Sequence, residues 1–126
     1  MSNNIVVIAE ARDGSLKKPS LEAISAALTL SAQTGGEVIA LVLGSNLDAA
    51  KAELQSSGAQ RVIAIESEAL ANYSGDGYAQ ASIDALADLG ASSILMAHTA
   101  MGKDLTPRIA AKLGVGLVSD ATALHF

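Results

Sequence analysis

The 126-residue chain has the length of one domain; half of it is hydrophobic, and its formal net charge is −5. It contains no cysteine, which excludes disulfides, thiolate metal sites and thiol catalysis. Its acidity opposes general nucleic-acid binding, and its few aromatics, Tyr73, Tyr78 and Phe126, offer no stacking platform for single strands.

The start, "MSNNIVVIAE", runs directly into a strand, with neither a basic signal region nor an Arg-rich presequence. No apolar run reaches the roughly 18 residues of a membrane span. These features together predict a bacterial cytoplasmic protein with no membrane insertion. The first strand, at about residues 4–10, is apolar on both faces, as a strand covered by helices on each side should be. A turn follows with Gly14. The first helix is expected from about Pro19 to Thr34, with Leu21, Ile24 and Leu28 facing inward and Gly35 ending it. "EVIALVLG" reads as the second strand, and Ser45 with Asp48 as the cap of a second helix that buries Leu47, Ala50 and Leu54.

"RVIAIES" is the third strand, and "EALANYSGDG" is a long loop. A third helix from about Gly77 to Leu89 aligns Tyr78, Ser82, Ala85 and Leu89 and stops at Gly90. "SSILMAH" is the fourth strand. The helix "DLTPRIAAKLG" places Leu105, Ile109 and Leu113 on one face, and "LVSDATALHF" begins a fifth extended segment. Strands alternating with helices predict an α/β fold: an open parallel sheet of about five strands with helices on both faces. One domain covers residues 1–126. The chain stops at Phe126 inside an apolar run, without turn, cap or polar tail. That implies a longer polypeptide or a partner over the end.

The chemistry-bearing motifs are few. No GxGxxG, GxxxxGK[ST] or GxSxG occurs, so the dinucleotide fingerprint, the P-loop and the hydrolase elbow all fail. His98 and His125 lack ligand-spaced partners and read as edge residues. Glu66 and Glu68 read as solvated charges rather than an acid/base pair. The remaining candidate is "HTAMGKDLTPRIAAKLG". Residues 98–104 are expected to form a loop at a strand's carboxyl end, opening into a helix. Lys103, Arg108 and Lys112 outnumber Asp104 there, which favours an anion or an acidic partner surface. A plain helix start explains the same residues: Asp104 as N-cap, Thr106 and Pro107 in the first turn, and Gly102 for tight entry.

The stretch from Ala97 to Thr122 resembles that of electron transfer flavoprotein α subunits. The resemblance is carried by Thr99, Gly102, Lys103, Asp104, Leu105, Pro107, Arg108, Leu113, Gly116, Leu117, Ser119 and Asp120. "VVIAE", "LKKPSLEAISAA", "GGEVIALVLG" and "SSGAQRVIAIE" extend it, in the family's order, over essentially the whole chain. The resemblance implies a three-layer, Rossmann-like fold akin to adenine-nucleotide α-hydrolase-like domains. It implies heterodimerisation with a β subunit and electron transfer from acyl-CoA or other dehydrogenases towards the respiratory chain. It also implies FAD bound mainly by a C-terminal domain that this sequence lacks, so no flavin ligand is expected here. Thr99, Gly102, Lys103, Asp104 and Arg108 are then candidates for a surface facing the partner. No catalytic or metal-binding residue is expected, and the chain is expected to be an assembly domain rather than an enzyme. The alternative is a free-standing nucleotide-binding module resembling universal stress proteins, but their Gly-x-x-Gly phosphate loop is missing after the fourth strand.

Overall fold

The computed structural model describes residues 4–12, 15–87, 89, 91–97, 99–113, 117–118 and 123–125. Expectations that fall on Gly14, Gly90, His98, Gly114, Gly116, Ser119, Asp120 and Phe126 lie outside these residues.

Four parallel strands form one side of the sheet: β1 (Asn4–Ala9), β4 (Val38–Gly44), β5 (Arg61–Glu66) and β6 (Ala91–Met96), in spatial order β5-β4-β1-β6 with β5 at the edge. Between β1 and the first helix, β2 (Ala11–Arg12) and β3 (Ser15–Leu16) pair as a small antiparallel ladder. The helices are α1 (Lys18–Thr34), α2 (Asp48–Gln55), α3 (Gly75–Leu86) and α4 (Ala100–Leu113). A 3₁₀ turn at Glu68–Leu70 precedes α3.

Strand alternation divides the core into two layers. Ile5, Val7 and Ala9 of β1 and Val38, Ala40 and Val42 of β4 pack with Ile24 and Ala27 of α1 and with Leu47, Ala50 and Leu54. On the other face, Val6, Ile8, Ile39, Leu41 and Leu43 pack with Tyr78, Ala79 and Leu86 of α3 and Leu105 and Ile109 of α4. Both faces of the central strands are therefore dry, as the unbroken apolar runs require. The expected three-layer fold with helices on both faces is present.

The strand count differs from expectation. Instead of a fifth neighbouring parallel strand, the last segment gives β7 (Leu117–Val118) and β8 (Ala123–His125). β8 lies antiparallel beside β6, and β7 lies antiparallel beside β8. Only residues 119–122 join these two strands, and so short a link can return a chain only antiparallel.

Helix details differ too. Leu21 is 36% exposed, whereas Ser20, Ile24, Ala27 and Ser31 are buried, so the inward stripe is one position away from the expected leucines. Pro19 does sit in the first turn of α1, and Gly35 closes that helix at φ 80°, donating its N–H to Ser31 C=O at 2.7 Å. α2 starts at Asp48 with no side-chain cap at Leu47, so Ser45 is not its cap. α3 starts at Gly75, capped by Ser74, whose hydroxyl accepts the Gly77 N–H at 3.3 Å.

The two leucines make opposite predictions. Leu41, fully buried in β4, should cost about 2–5 kcal/mol when truncated to alanine. Leu21→Ala should change stability by less than about 1 kcal/mol. Urea unfolding of the two variants checks both values, and equal losses would contradict the core described.

Candidate functional site

The chain leaves β1 towards β4 and later returns to the opposite side of β1 as β6. The carboxyl ends of β1 and β6 therefore flank a topological switch point, the usual ligand crevice of an open α/β sheet. Here that place holds a buried carboxylate. Glu10, the residue after β1, is 8% exposed. Its backbone N–H donates to Ser20 Oγ at 2.7 Å, and its C=O accepts the Lys17 N–H at 2.9 Å. Glu10 Oε1 accepts the Thr99 hydroxyl at 3.2 Å. Oε2 lies 3.1 Å from Lys17 Nζ, an ion pair outside hydrogen-bonding angles. Glu10 thus ties β1, the entry of α1 and the entry of α4 together.

A second carboxylate occupies the mouth of α2. Glu66, at the end of β5, accepts the Leu47 N–H through Oε1 at 3.3 Å and lies 3.6 Å from Lys51 Nζ. It satisfies the N-cap residue's own N–H, one of the donors that a helix entrance leaves without an intrahelical partner. Sequence reading had this residue as a solvated charge; its contact with Leu47 comes from the neighbouring strand and has no local signature. Between these carboxylates lies a pocket of about 320 Å³, lined by residues that include Gly44, Ser45, Asn46, Leu70, Ala71 and Tyr78, with no charged side chain.

The third group is a clasp between the segment before α3 and the face of α4. The Tyr73 hydroxyl donates to Asp104 Oδ2 at 2.5 Å. Arg108 donates from Nε to the same oxygen at 3.1 Å and from NH1 to Asp76 Oδ1 at 3.0 Å. The Tyr73 ring meets Tyr78 edge-on, with centroids 5.0 Å apart, and the Tyr78 hydroxyl donates to Leu70 C=O at 2.7 Å. Arg108 passes so close over Gly75 that a Cβ there would collide with its guanidinium. Partial burial, then the bond to Asp104, raises the Tyr73 phenol well above its ordinary range. That same bond, followed by Arg108, holds the Asp104 carboxyl below the ordinary carboxylate range.

The sequence-chosen residues separate into two groups. Thr99 belongs to the Glu10 knot, whereas Asp104 and Arg108 belong to the clasp. Lys103 is exposed and forms no ion pair among the described residues. Gly102, Lys103 and Asp104 are not in an entry loop, and Asp104 is not an N-cap. α4 begins at Ala100, with the Lys103 N–H donating to Thr99 C=O at 2.8 Å. Pro107 lies inside the helix rather than in its first turn. Burial of Leu105, Thr106 and Ile109 against the sheet outweighs the local break that proline imposes. Sequence reading missed Glu10, Tyr73 and Asp76. A charge closing an apolar strand and a scarce aromatic in a glycine-flanked loop were the available signals.

Residues 5–126 match the model of the electron transfer flavoprotein domain. The chain is 40% identical over 121 residues to the electron transfer flavoprotein subunit alpha of Bacillus subtilis, covering 96% of this chain and 37% of that protein. It is 40% identical to the same subunit of Clostridium acetobutylicum, covering 94% of this chain and 35% of the relative. It is 34% identical to the acryloyl-CoA reductase electron transfer subunit beta of Anaerotignum propionicum, covering 96% and 33%. The chain thus spans about a third of the length of the curated relatives it matches.

The clasp has a pH signature. Asp104, with its pKa lowered, contributes stability that is lost as pH falls below the ordinary carboxylate range. Tyr73, with its pKa raised, contributes stability that is lost as pH rises through and beyond the ordinary phenol range. Phenolate absorbance should show both tyrosines ionising above free tyrosine. Asp104→Asn should bring Tyr73 down while Tyr78, raised by burial, stays in place. Identical titrations of the two proteins would remove Asp104 from the account.

Proposed function

The chain belongs to the electron transfer flavoprotein family, and from that premise we propose that residues 1–126 are the N-terminal assembly domain of an α subunit. In this reading the domain docks against a β subunit in a heterodimeric carrier. The carrier takes electrons from acyl-CoA or other dehydrogenases towards the respiratory chain, in the bacterial cytoplasm. The match of nearly the whole of this chain to about a third of the α subunits' length supports the assignment. Among the described residues no helix is long and apolar enough to cross a membrane. We assign no catalytic step to this domain.

One observation carries the docking role. At the carboxyl-end side of the sheet, five carboxylates share three cations: Lys17 with Glu10, Lys51 with Asp48 and Glu66, and Arg108 with Asp76 and Asp104. A pyrophosphate needs free donors and positive potential. Here the α2 entrance already holds Glu66, the switch point holds Glu10, and the pocket has no cation. Its 320 Å³ also stands at the small end of ligand cavities. This pocket and these two carboxylate-held places do not suit FAD, and we infer that the flavin is held in a part of the subunit outside the described residues. The candidate surface of Thr99, Gly102, Lys103, Asp104 and Arg108 is kept as a partner surface. Its anion-binding version loses support, because Arg108 is already held by two carboxylates.

Calorimetric titration of the purified chain with AMP, ATP and FAD should give no binding tighter than about 1 mM. The same chain should form a complex with its cognate β subunit. Micromolar nucleotide binding without β-subunit association would favour the universal-stress-like module instead.

A further inference from the structure

We propose that the clasp of Tyr73, Asp76, Asp104 and Arg108 is the contact surface for a basic face of the partner subunit, with Tyr73 as its anchor. The proposal rests on the docking role above and adds the place and the sign of the contact.

Three observations converge on this rim. The first is rigidity. Tyr73 is 40% exposed, yet its hydroxyl is fixed by Asp104 and its ring by Tyr78. Arg108 is held at two points. Binding ordinarily has to order mobile surface side chains; here the ordering is complete before a partner arrives. The second is residue type. Tyrosine and arginine are over-represented among the few residues that dominate protein interfaces, and one of this chain's rare aromatics lies in the open beside an arginine.

The third observation is charge. Two carboxylates share the Arg108 guanidinium, so the clasp carries a net negative charge. The Asp76 side chain is 88% exposed while bound to Arg108, which leaves it open to further donors. Lys103 of α4 and Glu68 of the 3₁₀ turn before α3 are both exposed and of opposite sign. A surface bearing lysine or arginine matches this rim, whereas an acidic surface or a phosphate is repelled.

The test uses the purified chain and its cognate β subunit, with affinity measured at low and high salt. Asp76→Lys should weaken binding about tenfold and flatten the salt dependence. Tyr73→Ala should weaken it by a similar factor at both salt concentrations. Glu22→Lys, exposed on α1 across the sheet, should change affinity by less than about twofold. Thermal melting separates unfolding from lost contact. If Asp76→Lys does not fold, Asp76→Asn should show a smaller shift in the same direction. Undiminished binding by the Asp76 and Tyr73 variants, or tighter binding by Asp76→Lys, overturns the surface while leaving the docking role standing. An effect of Asp76→Lys on self-association alone also overturns it. Failure of the unsubstituted chain to bind the β subunit at all overturns both.

Discussion

A parallel sheet has no face it can leave in water, and that constraint decides where this protein keeps its polar chemistry. Every residue from Ile5 to Ala9 and from Val38 to Leu43 is buried. Neither face of β1 or β4 can therefore hold a charge without severe desolvation. Polar groups are forced to the strand ends. At the amino end, side-chain amides complete backbone pairing: Asn4 Oδ1 accepts the Glu37 N–H, and Gln60 Oε1 accepts the Val38 N–H. At the carboxyl end the groups are charged. Glu10 stands where β1 first leaves the dry layer, and its partners come from the two segments that the chain reversal brings to that point.

The architecture explains why a nucleotide-like fold need not bind a nucleotide. Such folds offer phosphate two recurrent places: the entrance of a helix after a strand, and the crevice where strand order reverses. In this chain a carboxylate of its own stands at each. Glu66 meets the α2 entrance, and Glu10 bridges β1 and the start of α4. Both are fixed by hydrogen bonds and ammonium groups, so they compete with any incoming anion by occupancy as well as by charge. A Rossmann-like fold sets these two places, but the residues standing at them decide what binds there.

How much of this was legible in the sequence depended on how local each cause was. The central strands announce themselves as apolar runs, and Pro19 and Gly35 mark the ends of α1 because their backbone constraints act on the spot. Leu21 misled because a leucine at helical spacing need not face the core; the small residues Ser20 and Ala27 do, which lets α1 approach the sheet closely. The start of α4 was hidden for a different reason. Pro107 and Asp104 carry a strong local signal for a first turn, and it is overridden by the burial of Leu105, Thr106 and Ile109. The clasp was illegible in principle, because Tyr73 and Asp104 lie 31 positions apart and no periodicity links them. The charge count over 99–112 therefore overlooks one of the two carboxylates that hold Arg108. Asp76, supplied from α3, is absent from that window.

The opening of α3 shows what the clasp asks of the sequence. Gly75 and Gly77 both stand in the first turn, and glycine is a poorer helix former than alanine. A chain selected only for helix stability would not place two glycines there. Gly75, however, is where Arg108 crosses, and any side chain would push the guanidinium away from Asp76 and Asp104. Ser74 restores part of the loss by capping the Gly77 N–H. Helix propensity thus yields to the placement of one arginine on the surface, where ion pairs ordinarily add little stability. Local rules broken without a gain in folding are expected where function sets the geometry. On that argument the proposed partner contact falls at the Arg108 crossing rather than at the pocket beside it.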